Sequence, residues 1–174
     1  RIHLIEHLHE AGFTRAADHR PLAVGQERIQ LIAPMNQLRY FLSHLLALST
    51  SSPFWHGRDT GLKSYRSVIF ENLPRTGIPQ QFESFASYRS YADTLLATGS
   101  IAEPTHVWWD VRPSEKFPTL EIRIPDMCTR IEETLCLVAI VQAIIAKLIQ
   151  LRRANQSWRL YRKHLIDENK WRAL

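Results

Sequence analysis

Cysteine is scarce in this sequence, and the scarcity removes several functions at once. Only Cys128 and Cys136 are present. Two thiols supply neither a disulfide framework nor a zinc ligand set, so both are read as packing residues in a reducing, cytoplasmic compartment. Long hydrophobic runs are also missing. The longest apolar stretch, Leu135 to Leu151, is interrupted by Gln142, Lys147 and Gln150. It is too short and too broken for a membrane span, and a buried helix is expected instead. No secretory signal, internal repeat or low-complexity segment is visible. The sequence pI is near 9.5, but no clustered basic stripe accompanies it, which argues against a nucleic-acid binder. The first residue is Arg1 rather than methionine, so the chain is expected to be a piece of something longer.

What is present fits one ordinary domain. The 174 residues are 45% hydrophobic and 22% charged, as in a soluble globular protein with a real core. A net charge of +5 permits an anionic ligand without demanding one.

Periodicity divides the chain into helices, two strands, then helices. Arg1 to Gly12 places Ile2, Ile5, Leu8 and Ala11 at helical spacing, and Thr14 to Ala33 reads as loop with one strand at most. Pro34 opens a helix that runs to Ser49, with Leu38, Leu42, Leu45, Leu46 and Leu48 mostly on one side. "SSPFWHGRDTG", from Ser51, reads as loop, and "SYRSVIFENLP" as a short helix. Gln80 to Ala97 is expected to be helical. "THVWWDVRPS", Thr105 to Ser114, and "FPTLEIRIPD", from Phe117, alternate as strands joined by a tight return. Thr129 to Ala154 is a helix with Thr129 as cap and Glu132 in the capping-box position. Trp158 to Trp171 is a final charged helix. The predicted class is α+β, an antiparallel sheet with flanking helices.

In "TLEIRIPD", Leu120, Ile122 and Ile124 take one face, and Glu121 and Arg123 the other. In the preceding strand Trp108, Asp110 and Arg112 share a face opposite Val107, Trp109 and Val111. If the strands pair, Arg112, Glu121 and Arg123 fall on one polar surface. The carboxylate would give a hard oxygen ligand to Mg²⁺, and the arginines would fork onto phosphate oxygens. The plainer alternative is a solvated face with a cross-strand ion pair. Arg58 and Asp59 sit between glycines, where backbone can approach a ligand, or simply form a turn. Arg66, beside Tyr65, could hold a substrate carboxylate or cap a loop. Glu168, Asn169, Lys170 and Arg172 read as a solvated helix face or a polar site. His7 and His9, two apart on a helix, point to different sides and would not share a metal.

"LLALSTSSPFWHGRDTGLKSYRSVIFENLPRTGIP", "WWDVRPSEKFPTLEIRIPD" and "HLIDENKWRA" together resemble the type-2 glutamate–cysteine ligase family, also called carboxylate-amine ligases. The resemblance covers Met35 to Ala173. It implies a glutamine synthetase-like fold, whose antiparallel sheet forms a funnel for ATP, divalent metal and an amino-acid substrate. It further implies metal ligation by Glu121 and catalytic contact of Arg123 and Arg112 with the transferred phosphate. ATP would be bound by Arg112, Asn169 and Arg172, and substrate by Arg58, Tyr65 and Arg66. The cofactors implied are ATP and Mg²⁺, the substrates glutamate with cysteine or another amine, and the assembly a homo-oligomer.

The implied reaction proceeds through an acyl phosphate. The family's strand of consecutive glutamates and its His-x-His-Gly strand have no recognisable counterpart here. The chain is therefore expected to be the C-terminal part of the catalytic domain, residues 34–174, behind a poorly matched leader of residues 1–33. Two expectations stand side by side: a partial ligase, or a ligase-like chain that keeps fold and nucleotide binding without turnover.

Overall fold

A computed structural model describes Ile2–His3 and residues 31–174. The chain order is β1 (Ile2–His3), α1 (Ile32–Ser49), β2 (Phe54–Trp55), β3 (Arg58–Asp59), α2 (Tyr65–Glu71), β4 (Thr76–Gly77), α3 (Phe85–Ala97), β5 (Trp108–Trp109), β6 (Val111–Pro113), β7 (Leu120–Ile122), α4 (Ile131–Arg153) and α5 (Lys163–Arg172). Mixed helices and short strands make this an α+β arrangement.

Helix α1 is the spine. Met35, Leu38, Leu42, Leu45 and Leu46 recur at helical spacing and are wholly buried. Each such side chain contributes roughly 1.5–3 kcal/mol by leaving water. The helix packs against α4, whose Leu137, Val141, Ile145 and Leu148 form the inward stripe, and against Ile166 of α5. It stops where Ser49 turns its hydroxyl back onto the carbonyls of Leu45 and Leu46.

The main sheet has the order β1–β7–β6, and both pairings are antiparallel. Val111 faces Ile122, Arg112 faces Glu121 and Pro113 faces Leu120. Val107, Trp109, Val111, Leu120, Ile122 and Ile124 are all buried, so the aliphatic alternation chose the core face as expected.

Several elements depart from the sequence expectations. Ile2–His3 is strand, paired to β7, not helix; the rest of the expected Arg1–Gly12 helix and residues 14–30 of the expected Thr14–Ala33 loop lie outside the described residues, while Ile32 and Ala33 belong to α1 and not to a loop. "SSPFWHGRDTG" folds into a small hairpin, β2 against β3, because His56 and Gly57 both take positive φ, the geometry of a two-residue turn. Helix α3 begins at Phe85, where the Ser84 hydroxyl accepts the Ser87 N–H, rather than at Gln80. Thr129 does not cap α4; the N-cap residue is Arg130, with no side-chain cap. α5 starts at Lys163, and the residues from Trp158 to Arg162 lie in no helix or strand.

The expected strand Thr105–Ser114 is broken at Asp110. β5 pairs in parallel with β4, while β6 pairs with β7. The Asp110 N–H donates to Gly77 O at 2.9 Å, and its carbonyl accepts from Arg123 N at 2.8 Å and Ile124 N at 3.2 Å. Asp110 is thus the joint between two sheets.

Candidate functional site

Pairing β6 with β7 puts Arg112 directly across from Glu121. Arg112 Nε and Nη2 both donate to Glu121 Oε2, at 3.1 and 2.9 Å. Its Nη1 donates to the carbonyls of Thr105 and Val107, each at 2.6 Å. The side chain is only 4% exposed, so this is a buried, hydrogen-bonded ion pair and not a solvated one. Arg123, one turn of the pleat further on, brings Nη1 to 3.9 Å from the same Glu121 oxygen. Arg112, Glu121 and Arg123 are therefore brought together, with Arg112 behind and Arg123 toward the surface.

Arg66, from the start of α2, braces the backbone beyond β7. It donates to Arg123 O at 3.1 Å, Ile124 O at 3.3 Å and Asp126 Oδ1 at 3.4 Å, and lies over the Phe70 ring. Asp126 is itself a buried hub. It accepts from Ser51 N, Ser52 Oγ and Ser64 Oγ at 3.0, 2.7 and 3.0 Å. This ties the start of the "SSPFW" segment to the end of "TLEIRIPD". A cleft of about 320 Å³ opens beside it, lined by Arg66, Arg123, Asp126, Cys128, Thr134 and Leu137 among others.

Sequence reasoning placed Asp110 on the polar face of the first strand and Lys170 in the polar run of the last helix, but did not pair them. Lys170 sits on the inner face of α5, four residues after buried Ile166, and is 5% exposed. Its Nζ donates to Asp110 Oδ2 at 2.8 Å and lies 2.9 Å from Glu71 Oε1. Burial works against the Lys170 ammonium, but the two carboxylates outweigh it and hold its pKa above the ordinary lysine value. Burial also pushes the Asp110 carboxyl upward, against the pull of Lys170. A water-sized cavity of about 20 Å³ is lined by this pair together with Arg66 and Arg123. The helical spacing of Ile166 and Lys170 was the available signal: it sets a lysine on an apolar face.

The remaining residues are dispersed. Arg58 is exposed on β3, across from Trp55. Tyr65 is half-buried, its ring 5.5 Å from that of Trp55. Asn169 and Arg172 are exposed on α5, on either side of buried Lys170. Cys128 borders the cleft, whereas Cys136 is exposed and does not pack.

The fit of a divalent metal can be judged from the donors. Glu121 already faces guanidinium nitrogens of Arg112 and Arg123. Asp126 is engaged by three serines and Arg66, and Asp110 by Lys170. Among the described residues no group of three or more His, Cys, Asp or Glu side chains could hold a metal ion. A single oxygen flanked by two cations does not make a resident Mg²⁺ site.

Comparison with known proteins gives a consistent result. The family profile described as Glutamate-cysteine ligase family 2 matches residues 18–174. A protein of Rhodospirillum rubrum, provisionally named glutamate–cysteine ligase 2, is 55% identical over 139 residues, covering 80% of this chain and 36% of the relative. A Herpetosiphon aurantiacus protein of the same provisional name is 56% identical over 139 residues, with the same coverage. One from Sorangium cellulosum is 54% identical over 149 residues, 86% of this chain and 40% of its own length. The chain thus spans well under half the length of these relatives.

Proposed function

From the premise that the chain belongs to glutamate-cysteine ligase family 2, we propose that it carries the phosphate-binding part of an ATP-dependent carboxylate–amine ligase with a glutamine synthetase-like funnel. The single observation that carries this is Arg123. It borders the cleft, with Arg66 beside it and the Arg112–Glu121 pair behind. Two guanidiniums, Arg66 and Arg123, against the single carboxylate of Asp126 leave a net positive charge in the cleft lining, which suits polyphosphate.

In the proposed reaction a glutamate side-chain carboxylate oxygen attacks the γ-phosphorus of ATP. The bond to the β–γ bridging oxygen breaks and ADP leaves. The amine nitrogen of cysteine, or of another amine, then attacks the acyl carbon. The C–O bond to phosphate breaks, phosphate leaves and the amine proton passes to solvent. Such transfer depends mainly on positioning and on neutralising charge.

Arg123 supplies the forked charge to the transferred phosphoryl group. Arg112 acts through Glu121, fixing its carboxylate. Arg66 aims the backbone of Arg123 and, with Tyr65 and Arg58, borders the amino-acid substrate. Asn169 and Arg172 contact the nucleotide from α5. Mg²⁺, when bound, offsets the repulsion between two anions; it would arrive with ATP, and Glu121 is the residue on hand to meet it. The work is placed in the cytoplasm, on small molecules and in a homo-oligomer, with no nucleic acid or membrane involved.

The donor set favours binding without turnover for this chain taken alone. Calorimetric titration with Mg²⁺ and ATP tests the site, comparing the natural chain with Arg123→Ala and Glu121→Ala. A lost charge-assisted bond of about 1.5–3 kcal/mol predicts at least a tenfold weaker Kd for Arg123→Ala. Equal heats for all three chains would remove the assignment.

A further inference from the structure

The Arg123 peptide is held from two sides. Its N–H donates to the Asp110 carbonyl at 2.8 Å, and the next N–H, of Ile124, donates to the same oxygen at 3.2 Å. Its own carbonyl accepts from Arg66 Nη2 at 3.1 Å. Asp110 lies between β5 and β6 and is anchored in turn. Its N–H donates to Gly77 O at 2.9 Å, and its carboxylate accepts from Lys170 Nζ of α5 at 2.8 Å.

Burial makes the Lys170–Asp110 link stiff. The side chains are 5% and 15% exposed, so water cannot readily replace either partner. Both residues share the walls of the 20 Å³ cavity with Arg66 and Arg123, and in so tight a space a shift of one pair displaces the other. Lys170 does not line the larger cleft that Arg123 borders. Its ammonium is turned to Asp110 and Glu71, so it reaches that cleft only through another residue.

We propose that Lys170 is a positioning residue for the phosphate site: through Asp110 it fixes the backbone that aims the Arg123 guanidinium. Its effect on nucleotide rests on the phosphate reading of Arg123, and its cause on backbone geometry alone. Two substitutions separate this from a through-space charge effect. Lys170→Met removes a positive charge and Asp110→Ala a negative one. By charge alone they would move the affinity for ATP in opposite directions. Acting through Arg123, both weaken it.

Calorimetric titration of the full chain with Mg²⁺ and ATP tests this, for the natural chain and both variants, each with and without Arg123→Ala. Lys170→Met and Asp110→Ala should each weaken Kd about tenfold, and by less than about twofold once Arg123 is alanine. Glu71→Gln removes the other partner of Lys170, off the route to Arg123, and should leave Kd unchanged. Amide exchange gives a second readout that needs no nucleotide. The Arg123 and Ile124 N–H groups should exchange roughly tenfold faster in Lys170→Met than in Ile145→Ala, a core truncation in α4 of similar cost to the fold. Asp110→Ala keeps the accepting carbonyl, should show the same loss of protection, and decides the matter if Lys170→Met fails to fold. Protection at Arg123 and Ile124 equal to that in Ile145→Ala would overturn the proposal. So would opposite shifts in Kd for the two variants, or losses that add in full to that of Arg123→Ala. A natural chain that gives no heat with ATP would sink the phosphate reading by itself, and amide exchange would then support or overturn the placement of Arg123 by Lys170.

Discussion

Replacing Lys170 by methionine isolates one cation and keeps most of its volume. In the native fold its ammonium lies 2.8 Å from Asp110 and 2.9 Å from Glu71. Glu71 is 44% exposed and regains water when the cation goes, so its loss costs little. Asp110 is 15% exposed and cannot. Breaking a buried pair from one side costs about 3–5 kcal/mol, and residual hydration of Asp110 argues for the lower end, about 3 kcal/mol at neutral pH. In a chain of this size that lowers Tm by roughly 6–12 °C.

The loss has a pH signature. With Lys170 gone, only burial acts strongly on the Asp110 carboxyl, and its folded pKa stands further above the unfolded value. The folded state then holds the proton more tightly. Below the unfolded carboxylate range both states are protonated and the penalty is small; as pH rises toward 7 stability is lost. Urea unfolding of both chains at pH 4, 5.5 and 7 should show a gap that widens with pH. Asp110→Asn added to Lys170→Met should recover part of it at pH 7. A gap below about 1 kcal/mol at pH 7, or one that does not change with pH, would refute the reasoning.

Asp126→Ala removes the acceptor shared by Ser51, Ser52, Ser64 and Arg66, and should cost about 3 kcal/mol in urea unfolding. Arg66→Ala should cost about 1–2 kcal/mol by the same assay and speed amide exchange in the 123–126 segment, whose carbonyls it holds. Arg39 is buried in α1 with its Nε lacking a partner, and burial lowers its pKa; Arg39→Met should leave Tm unchanged or raise it. Because the Lys170 pKa is raised, the stability its ion pair contributes is full below the ordinary lysine value and is lost as pH rises through the higher folded value. Alkaline unfolding of the natural chain, followed by circular dichroism, should therefore begin above pH 10.

The sequence by itself determined which residues go inside. Leucines at helical spacing made α1 the spine, and two-residue alternation put Val111, Leu120, Ile122 and Ile124 in the core with Arg112 opposite Glu121. Those patterns are local consequences of side-chain direction, so they can be read without a fold. The motifs around Arg58, Arg112 and Glu121 likewise carried the family, which the comparisons bear out.

Tertiary structure decided what those residues meet. Trp108, Asp110 and Arg112 alternate as one strand would, but Gly77 and Arg123 draw the Asp110 backbone in two directions and split it. Arg112 reads as a surface charge until the carbonyls of Thr105 and Val107 close over it. Lys170, in the middle of a polar helix, becomes a buried tie because Asp110 arrives from 60 residues away. Helix α4 is apolar on two sides, and only the position of α1 says which one this fold uses. Each outcome depends on contacts distant in sequence, and a local pattern can state that a face is apolar or charged but not what lies against it.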